Sequence, residues 1–171
     1  QIKPFNLGDK FKHLKTKEQM FADLAKKVED YKPDLIAISI LEDVYPLAVE
    51  LFRTIENYNI PTIAGGVFPT FAPEIVIAEK AVTMVCVGEG EEALTEVCHK
   101  LSSHEDISNV RNLWVKNDGD VIKNKIRPLR DLSLNPLPDF TIFSQDRFLK
   151  PMKGRLYKMA PIETHRGCPY S

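Results

Sequence analysis

The sequence predicts an α/β fold, a Rossmann-like (flavodoxin-like) doubly wound parallel sheet, and three observations carry that expectation. Residues 34–40 and 60–64 are continuous apolar, β-branched runs of the kind that lie between two layers of helix. A stretch with helical period separates each such run from the next. Strand and helix signals alternate at short intervals, the pattern of parallel strands joined by right-handed crossovers. A β-hairpin and an irregular, proline-broken C-terminal linker follow.

Residues 1–15 have little period, although residues 1–5, with Pro4 at the margin, suit the end of an edge strand. Thr16 and Gln19 are spaced as a capping box. Phe21, Leu24, Ala25 and Val28 then recur on one face of a helix that must end before Pro33. The first strand is 34–40. Pro46 marks the start of a helix with Leu47, Leu51, Phe52, Ile55 and Tyr58 toward the sheet. The second strand, 60–64, runs into the turn Gly65-Gly66. A short helix over 74–79 follows Pro73, then a third strand over 82–87. Gly88-Glu89-Gly90-Glu91 begins a helix with Leu94, Val97, Cys98 and Leu101 inward. Residues 113–116 and 121–123 flank Asn117-Asp118-Gly119-Asp120, where Asp-Gly supplies the positive φ of a tight hairpin turn. Beyond it Pro128, Pro136, Pro138, Pro151 and Pro161 interrupt any regular element. The expected organisation is an α/β domain over 1–108 lacking its first strand and helix, a hairpin over 109–125, a linker over 126–156, and the start of another domain over 157–171. Residues 157–163 suit the first strand of a following barrel.

A chain of 171 residues has room for one domain with a sizeable core and a short appendage. At 43% hydrophobic and 27% charged residues it is not a disordered chain. The net charge of −1 offers nothing to nucleic acid or an anionic membrane and suits a small neutral or zwitterionic ligand. No apolar run approaches a bilayer span. Three irregularly spaced cysteines make no disulfide framework, which points to a reducing, cytoplasmic compartment. The missing starting Met and the abrupt end point to a piece of a longer chain.

In an open parallel sheet, ligands bind beyond the carboxyl ends of the strands. Here those ends carry Ser39, Leu41 and Glu42, then Gly65, Gly66, Val67 and Phe68, then Gly88, Glu89 and Gly90. Each has an ordinary explanation: a serine bonded to a neighbouring carbonyl, a glycine turn, glutamates favouring a helix dipole. Their coincidence at three consecutive strand ends describes a site with three walls. The last residues, Arg166-Gly167-Cys168-Pro169-Tyr170-Ser171, stop after one cysteine, and one thiolate cannot assemble an iron–sulfur cluster.

The order Ser-x-Leu, Gly-Gly with Phe-Pro-Thr and Pro-Glu, Val-Gly-Glu-Gly-Glu, Leu-Pro-Asp-Phe and Thr-x-Arg-Gly-Cys-Pro resembles cobalamin-binding radical S-adenosylmethionine (SAM) enzymes from about Asp34 to Ser171. The resemblance implies an N-terminal Rossmann-like domain that holds cobalamin and a following barrel that holds a [4Fe-4S] cluster and SAM. Ser39 and Leu41 would line the pocket for the dimethylbenzimidazole tail. Gly65 and Gly66 would let the nucleotide loop lie along the backbone, and the turn at 88–91 would face the corrin. Leu137-Pro138-Asp139-Phe140 would lie in the linker toward the barrel. Cys168 would be the first ligand of a C-x3-C-x2-C loop completed only in the full-length protein. The implied chemistry is methyl transfer or oxidative ring formation of the magnesium-protoporphyrin cyclase type, with this piece alone binding and not catalysing.

There are two departures. No Asp-x-His-x-x-Gly run surrounds His13, His99, His104 or His165, so the cofactor is expected base-off with no histidine on cobalt. The family's first strand would precede Gln1, and its loss would leave a free sheet edge open to dimerisation or aggregation. Cys86 and Cys98 read as core thiols, unlike the additional cluster cysteines of the related methylthiotransferases. Two alternatives stand beside this reading. One is a cofactor-free substrate-recognition or docking domain of a radical SAM protein. The other is a response-regulator-like domain, for which Asp43 is poorly placed.

Overall fold

Residues 15–162 and Arg166 are described in a computed structural model. They fall into two compact units, divided between Pro128 and Leu129. In the first, Thr16 caps α1 (Lys17–Tyr31) as the capping box requires. Its Oγ1 accepts the Gln19 amide at 3.3 Å and Gln19 Oε1 accepts the Thr16 amide at 2.9 Å. The helix stops at Lys32, whose φ of 50° takes the chain out of register before Pro33. Then come β1 (Ile36–Ser39), α2 (Tyr45–Ile55), β2 (Thr62–Gly65), α3 (Val67–Phe71), α4 (Pro73–Ala78), β3 (Met84–Cys86), α5 (Glu91–Ser102), β4 (Leu113–Asn117) and β5 (Asp120–Lys123). Strands β1, β2 and β3 are parallel neighbours, β4 joins β3 antiparallel, and β5 closes the row as the hairpin partner of β4. The hairpin therefore widens the sheet to five mixed strands.

The register sorts the side chains into two layers. Ile38, Ala64, Val85 and Trp114 stand side by side on one face, packed with Val28 of α1, Phe52 of α2 and Val76 of α4. Ile63, Met84 and Val115 stand on the other, against Ala93 and Val97 of α5. Helices on both faces make the sheet doubly wound, with apolar burial of this kind contributing roughly 25 cal/mol per Å².

Three faces differ from the expectation. On α2, Leu47 is exposed while Ala48, Val49, Phe52 and Ile55 are buried. The helix starts at Tyr45, whose ring packs on Phe68 with centroids 4.7 Å apart, and this contact sets its rotation. On α5, Ala93 and Val97 face inward and both Leu94 and Cys98 are exposed, so Cys98 is not a core thiol. Ala93 is buried in the same apolar cluster as Cys86, and Glu96 on the helix flank is held by Arg127. Strand β1 is open on one face, where Ala37 and Ser39 are exposed, and along one edge, since among the described residues β2 is its only strand neighbour.

In the second unit, Asp131 and Asp139 cap short 3-10 turns by accepting the amides of Ser133 and Thr141 at 2.9 and 2.8 Å. Phe148 is buried, edge-on to Phe140 and Phe143. Strands β6 (Leu149–Met152) and β7 (Arg155–Lys158) form a hairpin turned by Lys153 and Gly154, both at positive φ. The strand expected over 157–163 thus starts inside a hairpin. Residues 1–14, where an edge strand was expected, lie outside the described residues.

Candidate functional site

The ends of β1 and β2 are knitted by main chain. Gly65 O accepts the Ile40 amide at 2.8 Å, and Ile40 O accepts the Phe68 amide at 3.2 Å. Gly66 sits in the resulting turn at φ +100°. A Cβ there would lie 2.8 Å from Ile40 N and Ser39 Oγ and 2.9 Å from Ile40 O, so the fold itself demands this glycine. Gly65 is different. Its backbone is ordinary, and a Cβ would meet only Cys86 Cβ at 3.7 Å. Fold packing does not require Gly65, and its missing side chain leaves room.

That room continues across β1. Ser39 lies opposite Gly65 in the register, Ala37 lies on the same face, and both are exposed. The Ser39 hydroxyl makes no hydrogen bond among the described residues. The result is an open strip of small residues with one unused hydroxyl. At the start of α5, a Cβ on Gly90 would lie 3.7 Å from Cys86 Sγ, which puts this helix end beside Cys86. Cys86 is buried at the inner end of the strip, and burial pushes its thiol up to about 11, so it is a neutral, unreactive packing group.

At the end of β3, Gly88 takes φ +85° and its amide donates to Thr70 Oγ1 at 3.1 Å. The Thr70 hydroxyl donates in turn to Gly66 O at 2.8 Å. On the other side, buried Asn112 donates from Nδ2 to Val87 O at 2.8 Å and accepts the Arg127 amide at 3.1 Å. Arg127 Nε is 3.3 Å from Glu92, and the same guanidinium pairs with Glu96. Because β5 runs parallel to β3, the chain leaving it reaches this edge and adds a fourth wall, with Ile126 Cγ2 3.6 Å from where a Gly88 Cβ would be.

The rim of these strand ends is apolar and uncovered: Leu41 is 55% exposed, Val67 58%, Phe71 84% and Ile126 55%. Glu42 begins a 3-10 turn beside Leu41. The Phe68 side chain turns away to Tyr45 and contributes its backbone here. The structure thus brings together the ends bearing Ser39, Leu41 and Glu42, Gly65–Val67, and Gly88–Gly90. Sequence reasoning assigned no role to Thr70, Asn112, Ile126 or Arg127. Thr70 stood within a noted run, but the other three act through partners on distant elements and leave no local pattern. Among the described residues no group of three or more His, Cys, Asp or Glu side chains gathers to hold a metal. His99 and His104 lie near the far end of α5, whereas His13, His165 and Cys168 lie outside the described residues.

A cleft of about 540 Å³ opens at the opposite, amino-terminal edge, lined in part by Ile60, Pro61, Thr83 and Lys116. Its hydroxyls are spent: Thr62 Oγ1 donates to Ala81 O at 2.7 Å and Thr83 Oγ1 to Thr62 O at 2.7 Å. The Ser108 hydroxyl likewise donates to Asp106 Oδ2 at 2.6 Å, so the cleft's hydroxyls are committed within the fold, whereas that of Ser39 at the carboxyl end is not.

The family model described as the B12 binding domain matches residues 6–98, more than half of the chain. The chain belongs to the B12-binding domain family. This B12-binding domain is 29% identical over 157 residues to an uncharacterized methyltransferase, PH0819, of Pyrococcus horikoshii, covering 88% of this chain and 33% of that protein. It is 27% identical over 155 residues to 4'-phospho-dehydrooxetanocin synthase of Priestia megaterium, covering 86% of this chain and 20% of the synthase. The chain therefore spans a third or less of the length of these relatives. Its fold matches the solved structure of the cobalamin-dependent S-adenosylmethionine radical enzyme OxsB with aqua-cobalamin and S-adenosylmethionine bound. The TM-score is 0.54 at 24% identity, covering 64% of this chain and 16% of OxsB. The residues present fit a corrinoid. A broad, mostly apolar macrocycle suits the exposed rim, and a long flexible tail suits a strip that a single Cβ at residue 65 would begin to fill. No helix among the described residues is long and apolar enough to cross a membrane.

Proposed function

We propose that this chain is the cobalamin-holding part of a longer radical SAM enzyme that performs methyl transfer or oxidative ring formation. The observation that carries the reading is the strip of Ala37, Ser39 and Gly65, open where the fold could have accommodated a side chain, running up to an uncovered apolar rim. Ser39 offers its free hydroxyl to the nucleotide tail, and Leu41 and Val67 present apolar surface, with Glu42 beside them. Gly65 admits the tail, Gly66 shapes the turn, and the backbone of Phe68 holds that turn to Ile40. Gly88, Glu89 and Gly90 face the corrin. Bound cobalamin supplies a cobalt centre that can carry a methyl group or an electron, and the residues of this chain bind it, orient it and keep water from the tail.

In this reading cobalamin sits base-off with no histidine on cobalt. The domain of 1–108 and its hairpin of 109–125 lead through a linker, 126–156, to the radical SAM domain that begins over 157–171. There Cys168 is the first ligand of the cluster that binds SAM, and this piece alone binds without catalysing. The protein works in the cytoplasm. The free edge of β1 gives it a route to a dimer. Titration with hydroxocobalamin, followed by desalting and visible absorbance, tests the proposal: retained corrin with a base-off spectrum is expected. A folded chain that retains none overturns it in favour of a cofactor-free docking domain.

A further inference from the structure

One peptide unit at the site is held at both of its polar ends by side chains from neighbouring elements. The N–H of Gly88 donates to Thr70 Oγ1 at 3.1 Å, and the carbonyl oxygen of the same peptide, Val87 O, accepts from Asn112 Nδ2 at 2.8 Å. Thr70 uses its proton on Gly66 O at 2.8 Å, which turns a lone pair toward Gly88 and ties the second strand end to the third. Asn112 is 2% exposed, and its Oδ1 is held by the Arg127 amide at 3.1 Å and guanidinium at 3.2 Å. The Asn112 carbonyl accepts the Val87 amide at 2.8 Å, so the main chain of residue 112 is held beside the peptide that its side chain grips.

A peptide is planar, so fixing its oxygen and its N–H fixes the plane. A peptide left unheld before a glycine turn would have to be ordered whenever a ligand bound. We propose that Thr70 and Asn112 are positioning residues of the cobalamin site, which fix in advance the Val87–Gly88 peptide from which the Gly88 turn, at φ +85°, sets out toward the corrin. This inference rests on the proposed cobalamin site. Asn112 works from the turn just before β4 and Thr70 from α3, so the peptide is braced from two separate elements.

The test is hydroxocobalamin titration of the whole chain and its Thr70 variants, with affinity referred to the folded fraction. Thr70→Val keeps the shape and removes both the donor and the acceptor. It should raise Kd about tenfold or more, while Thr70→Ser stays within about threefold of the parent. Faster exchange of the Gly88 amide in cofactor-free Thr70→Val should accompany the loss. Equal affinity in folded Thr70→Val overturns the inference, as does an equal loss in Thr70→Ser. If Thr70→Val fails to fold, Thr70→Ala is read in the same way, and failure of both to fold overturns the positioning role in favour of a purely structural one. A parent chain that retains no corrin is a separate result, seen before any variant is made, and overturns the cobalamin site itself.

Discussion

Gly65 and Gly66 are adjacent and lack side chains for opposite reasons. At Gly66 a Cβ would fall within 2.9 Å of the Ile40 backbone, and φ is +100° besides. Gly66→Ala should therefore lower folding stability by about 2 kcal/mol or more in urea unfolding. At Gly65 the added Cβ meets only an ordinary contact at 3.7 Å. Gly65→Val should melt close to the parent and yet retain no hydroxocobalamin after desalting; unchanged affinity would remove the strip from the site. The Cys86 thiol gives a pH signature. Burial raises it from an ordinary 9.0 to about 11, so the native state disfavours its ionisation. That contribution to stability is whole below pH 9.0 and is lost as pH rises toward about 11. The parent's unfolding free energy from urea titrations should fall across that window by an amount on the order of 2 kcal/mol, and Cys86→Ala should flatten the fall. The glycine pair was legible as a turn in the sequence. Which of the two left space for a ligand was not, because that depends on Ile40 and Cys86 across the sheet.

At the scale of elements, what is local could be read directly. The Thr16 capping box and the hairpin turn both depend on residues within four of one another, and both occur as expected. Asp118 and Gly119 have φ of 47° and 93°, the double positive turn that matches strand twist. Nothing lies within 4 Å of a Gly119 Cβ, so Gly119→Ala tests conformation alone and should cost about 1 kcal/mol in thermal unfolding. Across the hairpin, Lys123 Nζ lies 3.9 Å above the Trp114 ring, as their register demands. The buried faces of α2 and α5 were less legible. Two apolar stripes compete on each helix, and the choice is made by contacts outside it: Tyr45 on Phe68 for α2, Arg127 on Glu92 and Glu96 for α5.

For the whole molecule, the edge of β1 that has no strand partner among the described residues carries the main consequence. The Ile36 and Ile40 amides donate toward β2, so by alternation those of Ala37 and Ser39 point outward. The edge carries no charge to deter pairing. The chain should associate with rising concentration in sedimentation velocity. Ala37→Pro, which removes only an outward N–H, should keep it monomeric with little change in melting; a parent monomeric at every concentration would refute this. The sequence by itself determined the alternation of strand and helix, the capped first helix, the hairpin turn and the three strand ends that carry the proposed site. Each of these is set by periodicity or by neighbours a few residues away. Only the tertiary structure decided that the hairpin carries Ile126 and Arg127 to the site as a fourth wall, that Thr70 and Asn112 hold one peptide between them, and that one face of β1 stays open. Those features depend on groups far apart in the chain meeting at the end of one sheet, and no local pattern records such a meeting.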